Sequence, residues 1–284
     1  MSVIKVNNIT NRDGTSGPVI AGITTVSSTS HMVVPTGRTG QRYVDDGENI
    51  VRSGLVLYLD AKHSYPGLDG VNPDIYNWYD LSGNENNGEL KNGVSYSTSD
   101  GGSLVFDGSN DYIDNTFSFS SRPFSINCWI YFNSLTGWQT IIGQDTSQST
   151  LSGAIYFQKT SDNFAQSTPR PANTFNTSIS TTSNTTIDCL DTSTVSANTW
   201  YNFCASVSTT DIKLYRNGSL VQTTVNSDAL ATPTGTIKIG AGYYNNTLVD
   251  YANVRIPITQ IYNRALTAAE VSQNFNAVRS RFGL

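Results

Sequence analysis

Residues 104–132, LVFDGSNDYIDNTFSFSSRPFSINCWIYF, decide the fold. Within Phe124–Phe132 the apolar side chains fall at 124, 126, 128, 130 and 132. A period of two sends successive side chains to opposite faces of a strand, so one face of this strand belongs to a core. The other face carries Asn127, Trp129 and Tyr131, an aromatic, partly covered surface rather than a wet one. Upstream, Leu104-Val105-Phe106 runs into the turn-rich Asp107-Gly108-Ser109-Asn110-Asp111, after which Tyr112-Ile113 resumes the extended pattern. Short patterned segments punctuated by Gly, Asn and Asp read as antiparallel sheet.

The same grammar runs on both sides. Leu55–Asp60 is a mostly apolar strand expected to be covered on both faces, and Trp78 with Tyr79 is expected to plug one end of the core. Gln139–Ile142, Ala154–Phe157, Trp200–Val207, Thr236–Ile239 and Asn253–Tyr262 are further strands. Residues 160–199, rich in Ser and Thr, read as a long insertion of exposed edge strands and loops. Ile212–Arg216 and Ser219–Thr223 flank Asn217-Gly218, the dipeptide a type I′ hairpin requires because both central residues need φ > 0. One helix closes the chain: Thr267-Ala268-Ala269-Glu270 is a capping box, Val271, Phe275 and Val278 share one side, Arg279 and Arg281 suit the C-terminal dipole, and Gly283 can end it. This helix is expected on the edge of a sandwich.

The 284 residues suffice for one large all-β domain or two smaller ones. Charged residues make up only 14%, and the net charge of −5 lacks the Lys/Arg excess that non-specific nucleic-acid binding demands. No stretch approaches the ~20 apolar residues of a membrane-spanning helix. The opening MSVIKVNNIT has no basic region followed by an apolar run, so no secretory signal is expected, and the protein is expected to be made and kept in a reducing cytoplasm or assembled there into something larger. Cys128, Cys189 and Cys204 are an odd number without metal-like spacing. They read as three buried thiols, with one disulfide as the alternative.

Residues 1–47 differ from the rest. Short apolar clusters (Val3-Ile4, Val19-Ile20, Met32-Val33-Val34) are separated by Asn, Gly, Pro, Ser and Thr, and none is long enough to form a core. Their β-branched content points to an extended arm that orders on a partner, against the alternative of a floppy tail.

The order of pieces over roughly residues 50–284 resembles the concanavalin A-like lectin/glucanase superfamily in its laminin G-like branch. The residues that carry the resemblance are Leu55 to Ala61, Asp80-Leu81-Ser82-Gly83-Asn84 to Gly88, Leu104 to Ile113, Phe124 to Phe132, Trp200 to Val207 with Ile212 to Leu220, and Ile261 to Thr267. It implies an all-β jelly-roll sandwich of two antiparallel sheets over residues 48–284, with the extended arm ahead of it and one C-terminal helix. The arm itself resembles N-terminal segments of structural proteins of tailed phages, especially phages of marine cyanobacteria. That second resemblance implies a virion protein assembled in the host cytoplasm, its arm binding other virion proteins and its sandwich facing outward. An oligomer such as a trimer would cover the apolar arm segments.

Candidate chemistry is sparse. Glucanases of this superfamily usually place Glu, Asp and Glu at alternating positions of one strand, but Glu48, Glu85, Glu89 and Glu270 lie in no such motif. His31 and His63 have no ligand-like or triad-like partners. A non-enzymatic protein is therefore expected. Two loops carry the oxygen donors that Ca²⁺ takes: Asp80 with Asn84 and Asn86, and Asp107 with Asn110 and Asp111. The resemblance implies a structural calcium in such a loop, although Asp, Asn and Gly are equally what turns use. Trp138, Tyr243 and Tyr244 with Asn245 and Asn246 can form an aromatic platform for sugar, unless these rings fill the core or an interface. The expected function is a fibre, collar or head-decoration module displaying a lectin-like sandwich; the alternative is an adhesin recognising host-surface glycans.

Overall fold

The structure is a computed structural model that describes residues 33–35, 42–44, 49–64, 77–146, 155–161, 170–183, 185–231, 233–244 and 247–284. Two eight-stranded antiparallel sheets make a sandwich. The front sheet runs Ser219–Val225, Asp211–Arg216, Trp200–Val207, Phe124–Phe132, Val254–Tyr262, Ser103–Val105, Ser95–Ser97, with Leu55–Asp60 also paired to Val254–Tyr262. The back sheet runs Thr186–Thr194, Thr174–Ser180, Ile155–Lys159, Gln139–Thr146, Pro233–Ile239, Tyr112–Asn115, Gly88–Lys91, Asn77–Trp78.

The period of two in Phe124–Phe132 is what closes the core. Phe124, Ile126, Cys128, Ile130 and Phe132 are all buried and meet Ile113, Phe157, Phe175 and Ile239 of the back sheet. Phe175 stacks on Phe203 at 4.0 Å and meets Phe157 edge-on at 4.6 Å, joining the two layers. Each such ring contributes on the order of 1.5–3 kcal/mol of burial. Trp78 is fully buried in the same core, as expected.

Three expectations need correction. The Ser/Thr-rich region is not a set of exposed edge strands: Thr174–Ser180 is buried throughout and lies inside the back sheet, and only Thr186–Thr194 is an edge. Phe175 and Ile179 drive it there, since alternation turns them inward. The terminal helix, Ala268–Val278, does not sit at an edge. It covers the outer face of the front sheet, where Trp129 stacks on Phe275 at 5.5 Å and on Phe282 at 4.3 Å. Sequence alternation predicted an aromatic outer face but could not say what lay over it. Arg281, finally, is more than a helix-end charge. Its guanidinium pairs with the wholly buried Asp60 at 2.9 Å and donates to the carbonyls of Asp100, Gly101 and Gly102.

Local chemistry elsewhere is as read. The capping box is formed, Thr267 N donating to Glu270 Oε2 at 2.9 Å and Glu270 N to Thr267 Oγ1 at 3.3 Å. Asn217 and Gly218 both have positive φ (49° and 77°), the type I′ requirement. The three cysteines are free and buried. Of the arm residues, Val33 and Val34 lie in the strand Val33–Pro35, which pairs with Arg42–Val44 in a separate two-stranded sheet. Val3, Ile4, Val19, Ile20 and Met32 lie outside the described residues.

Candidate functional site

The outer face of the back sheet is the other surface that strand alternation generates, and no helix of the described chain covers it. Inward-facing Ile113 is fully buried, so Tyr112 and Asp114 of the same strand face out. Register then aligns one cross-strand row over seven strands: Glu89, Asp114, Lys238, Gly143, Tyr156, Ser178 and Asp188. Beside Asp114 in this face stand Tyr112 and, opposite it, Lys91.

Gly143 interrupts the row for a steric reason. A Cβ there would lie 2.8 Å from the carbonyl oxygen of Ala241 and 2.9 Å from Gly242 Cα. The missing side chain lets a small hairpin, Gly242–Tyr244 paired with Thr247–Val249, lie across the face. Gly242 is equally constrained, its own added Cβ coming 2.7 Å from Thr140 Oγ1. The Tyr156 hydroxyl donates to the Tyr243 carbonyl and ties the hairpin down.

The row divides into a covered half and an open half. In the covered half Gln158, Asn176 and Ser178 are buried. Arg170 forms a fork with Asp188 (Nε–Oδ2 2.8 Å, Nη2–Oδ1 2.7 Å) and lies 5.6 Å from the Trp138 ring. Asn176 Nδ2 donates to Ser178 Oγ and to Asp188. This half is a bonded network whose cation is committed.

In the open half Glu89, Asp114 and Lys91 are partly exposed, while Lys238 is buried with 11% of its side chain exposed. Lys238 Nζ bonds Asp114 Oδ1 at 2.5 Å and Thr236 Oγ1 at 3.0 Å, and Lys91 Nζ bonds Glu89 at 2.6 Å. Tyr243 stands within electrostatic reach of Asp145, Asp114 and Tyr112. Burial first, then those neighbouring carboxylates, push its phenol up to about 12, so it stays a neutral hydrogen-bond donor at ordinary pH. Tyr251 is raised likewise, by burial and then by Tyr112. Aromatic rings beside fixed donors and acceptors can stack on an apolar ring face while bonding its hydroxyls.

Among the residues read as a sugar platform, Tyr243 therefore belongs to the open half, while Trp138 is engaged by Arg170. Tyr244 is placed in the hairpin strand; Asn245 and Asn246 lie outside the described residues. Tyr112, Asp114, Lys238 and Tyr251 are not among the site residues the sequence suggests. The alternation in Tyr112–Asn115 marks the first two as outward, but their meeting with Lys238 depends on a register between strands 124 residues apart.

The two calcium candidates differ. Asp80 accepts from Tyr58 N and Ser82 N on Oδ1, and from Ser82 Oγ and Asn86 N on Oδ2. Asn84 and Asn86 spend their amides on Ser82 and Val56. That carboxylate is saturated by protein donors. In the second loop Asp107 Oδ1 accepts from Ser109 N, and Asn110 contributes its carbonyl to Asn92 Nδ2. Asp111 Oδ2 accepts from Asp107 N, but its buried Oδ1 has no hydrogen-bond partner. Burial, ahead of the other influences, raises the Asp111 carboxyl above its ordinary range. Asp111 Oδ1 is thus a buried carboxylate oxygen without a hydrogen-bond partner; among the described residues no group of three or more His, Cys, Asp or Glu side chains is placed to hold a metal ion.

A family model described as concanavalin A-like lectin/glucanases superfamily matches residues 107–272. The chain belongs to that superfamily. No curated protein matches its sequence. Among solved structures, this lectin/glucanase-type sandwich is similar to the binding domain of Paraclostridial Mosquitocidal Protein 1, at 19% identity and TM-score 0.59, covering 80% of this chain and 52% of that one. Domain 4 of AbnA, a GH43 extracellular arabinanase from Geobacillus stearothermophilus solved in complex with arabinotriose, is similar at 15% identity and TM-score 0.58, covering 80% and 98%. The binding domain of botulinum neurotoxin DC, solved in complex with SialylT, aligns at 16% identity and TM-score 0.57, covering 80% and 52%. The chain thus spans about half the length of the toxin domains and nearly all of the arabinanase domain. At these identities the likeness is one of fold.

Proposed function

We propose that the sandwich is a non-enzymatic carbohydrate-binding module whose ligand lies on the open half of the back sheet's outer face. The observation that carries this reading is the constellation of Tyr112 and Tyr243 beside the Asp114–Lys238 and Glu89–Lys91 pairs. It offers stacking surface and fixed donors and acceptors on rigid strands, the combination small polar ligands need. Saccharides bound to two domains of similar fold support it. Glu89 and Asp114 of the row are each bonded to a lysine, which argues against their serving as a glycosidase pair. The test is a glycan array probed with the full chain and with Tyr243→Ala: binding lost in the variant supports the site, and silence of the unaltered protein across the array refutes the function.

Residues 1–47, in the same proposal, fix the module to a tailed-phage particle through other virion proteins and through self-association, for example as a trimer. Their clustered Val and Ile residues, with no core of their own, support it. Deleting residues 1–45 should abolish incorporation into particles and lower the sedimentation coefficient to that of a monomer; unchanged incorporation refutes the anchor. A structural Ca²⁺ is placed by this reading at Asp107 and Asp111 rather than at Asp80. Calorimetry with CaCl₂ on chelator-treated protein should show binding that Asp111→Asn removes, and no heat at millimolar calcium ends the idea.

A further inference from the structure

We infer that the open half of this face takes an uncharged saccharide, gripped through neighbouring hydroxyls by the two lysine–carboxylate pairs, and rejects sialylated, uronic and sulfated glycans. This rests on the carbohydrate-binding reading above and narrows it to a substrate class.

The charges on the face decide the matter. Among the described residues its open half carries two ammonium groups, Lys91 and Lys238, and three carboxylates, Glu89, Asp114 and Asp145. Both ammonium groups are held by carboxylates at 2.6 and 2.5 Å. An acidic sugar bonded to either ammonium would lie against the carboxylate that already holds it, Asp114 or Glu89. Like charges in such proximity disfavour the complex, and the chain's net charge of −5 repels an anion at longer range as well. Arg170, the other cation of this face among the described residues, is forked onto Asp188 in the covered half. Acidic-ligand sites depend on an arginine or lysine free to make charge-assisted bonds, and here each is already answered.

A neutral sugar meets the same groups without displacing any. A carboxylate has about four lone-pair positions and an ammonium three donors, so a pair bonded to each other keeps capacity for hydroxyls on both partners. Glu89, Asp114 and Lys238 sit on three adjacent strands. Two inter-strand spacings of about 4.8 Å set them over roughly 10 Å, the reach of a short oligosaccharide rather than one ring. Tyr243, at the side of this line and uncharged at neutral pH, supplies a ring face and a hydroxyl without adding charge.

The experiment uses the full chain on an array divided into neutral, sialylated, uronic and sulfated glycans, followed by calorimetry with the best neutral hit at 50 and 300 mM NaCl. Neutral glycans should bind with affinity changing less than twofold between the two salts. Asp114→Asn and Lys238→Met should each weaken binding at least tenfold with the near-ultraviolet circular dichroism unchanged. Binding confined to acidic glycans, weakening with salt, overturns this inference while leaving the carbohydrate-binding function standing. Neutral binding untouched in both variants overturns the assignment of these pairs. Failure to bind any class removes the parent reading and this one with it.

Discussion

Arg281→Met is the perturbation that best tests how the C-terminal strap is held on the front sheet. Asp60 is fully buried and the Arg281 side chain is 10% exposed, so removing the guanidinium takes a bonded positive charge away from an interior carboxylate. Breaking a buried pair in this way costs about 3–5 kcal/mol. The lower end applies here, because Asp60 keeps other partners, among them the Lys62 amide at 2.9 Å and the Tyr58 hydroxyl at 3.3 Å. A loss of about 3 kcal/mol is a large share of the roughly 5–15 kcal/mol that stabilises a domain. It corresponds to a melting temperature lower by about 6–12 °C for a domain of this size. Urea denaturation and thermal scans give the magnitude. Near-ultraviolet circular dichroism reports whether Phe282 leaves Trp129 and Trp200, on which its ring packs at 4.3 and 4.7 Å. The double variant Asp60→Leu/Arg281→Met removes both charges and should recover to within about 1 kcal/mol of the unaltered protein, since apolar replacement of a buried pair is often neutral. A single variant that loses less than about 1 kcal/mol, or a double variant no better than the single, would refute the reasoning.

Three further outcomes are expected. Arg264 beside it, and then the Thr267 bonds, hold the Glu270 carboxyl down to about 2 against an ordinary 4.5. Its contribution is complete above about pH 4.5 and is lost as pH falls through about 2, so Glu270→Gln should cost about 1 kcal/mol at pH 7 and progressively less as pH falls from about 4.5 toward 2, by urea midpoints. Gly218→Val forces a β-branched residue to φ 77° and drives its Cβ to 2.9 Å from Phe275, for a loss of about 2 kcal/mol in the same assay; an unchanged midpoint contradicts the turn assignment. Burial pushes the Cys128 thiol up to about 12 and raises Cys189 and Cys204 as well. A thiol reagent at pH 8 should therefore label none of the three in the native protein and all of them in guanidinium.

The open half of the back-sheet face shows where reading from the chain stops. Whether Asp114 is paired or free depends on Lys238, and their contact exists only because Ile113 and Ile239 are register partners. Nothing local to either strand specifies that alignment. The saturated Asp80 makes the same point: its donors Ser82 and Asn86 are near in sequence, but Tyr58 N comes from a strand 22 residues earlier. Read alone, Asp80 with Asn84 and Asn86 was as good a calcium candidate as Asp107 with Asn110 and Asp111.

What the amino-acid order settled by itself was whatever depends on neighbours along the chain. Alternation in Phe124–Phe132 assigned a core face, Asn217-Gly218 a tight hairpin, Thr267 with Glu270 a helix start, and each stands as read. Dihedral preference, side-chain direction and capping bonds act over a few residues, so a few residues suffice to read them. Tertiary structure decided what covers each outer face. The helix lies over Trp129, the hairpin passes over Gly143, and Arg281 reaches Asp60 across 221 positions of chain. Those pairings follow from sheet register and from the packing of whole layers, which minimise exposed apolar area and unpaired charge over the molecule at once and leave no short-range trace in the sequence.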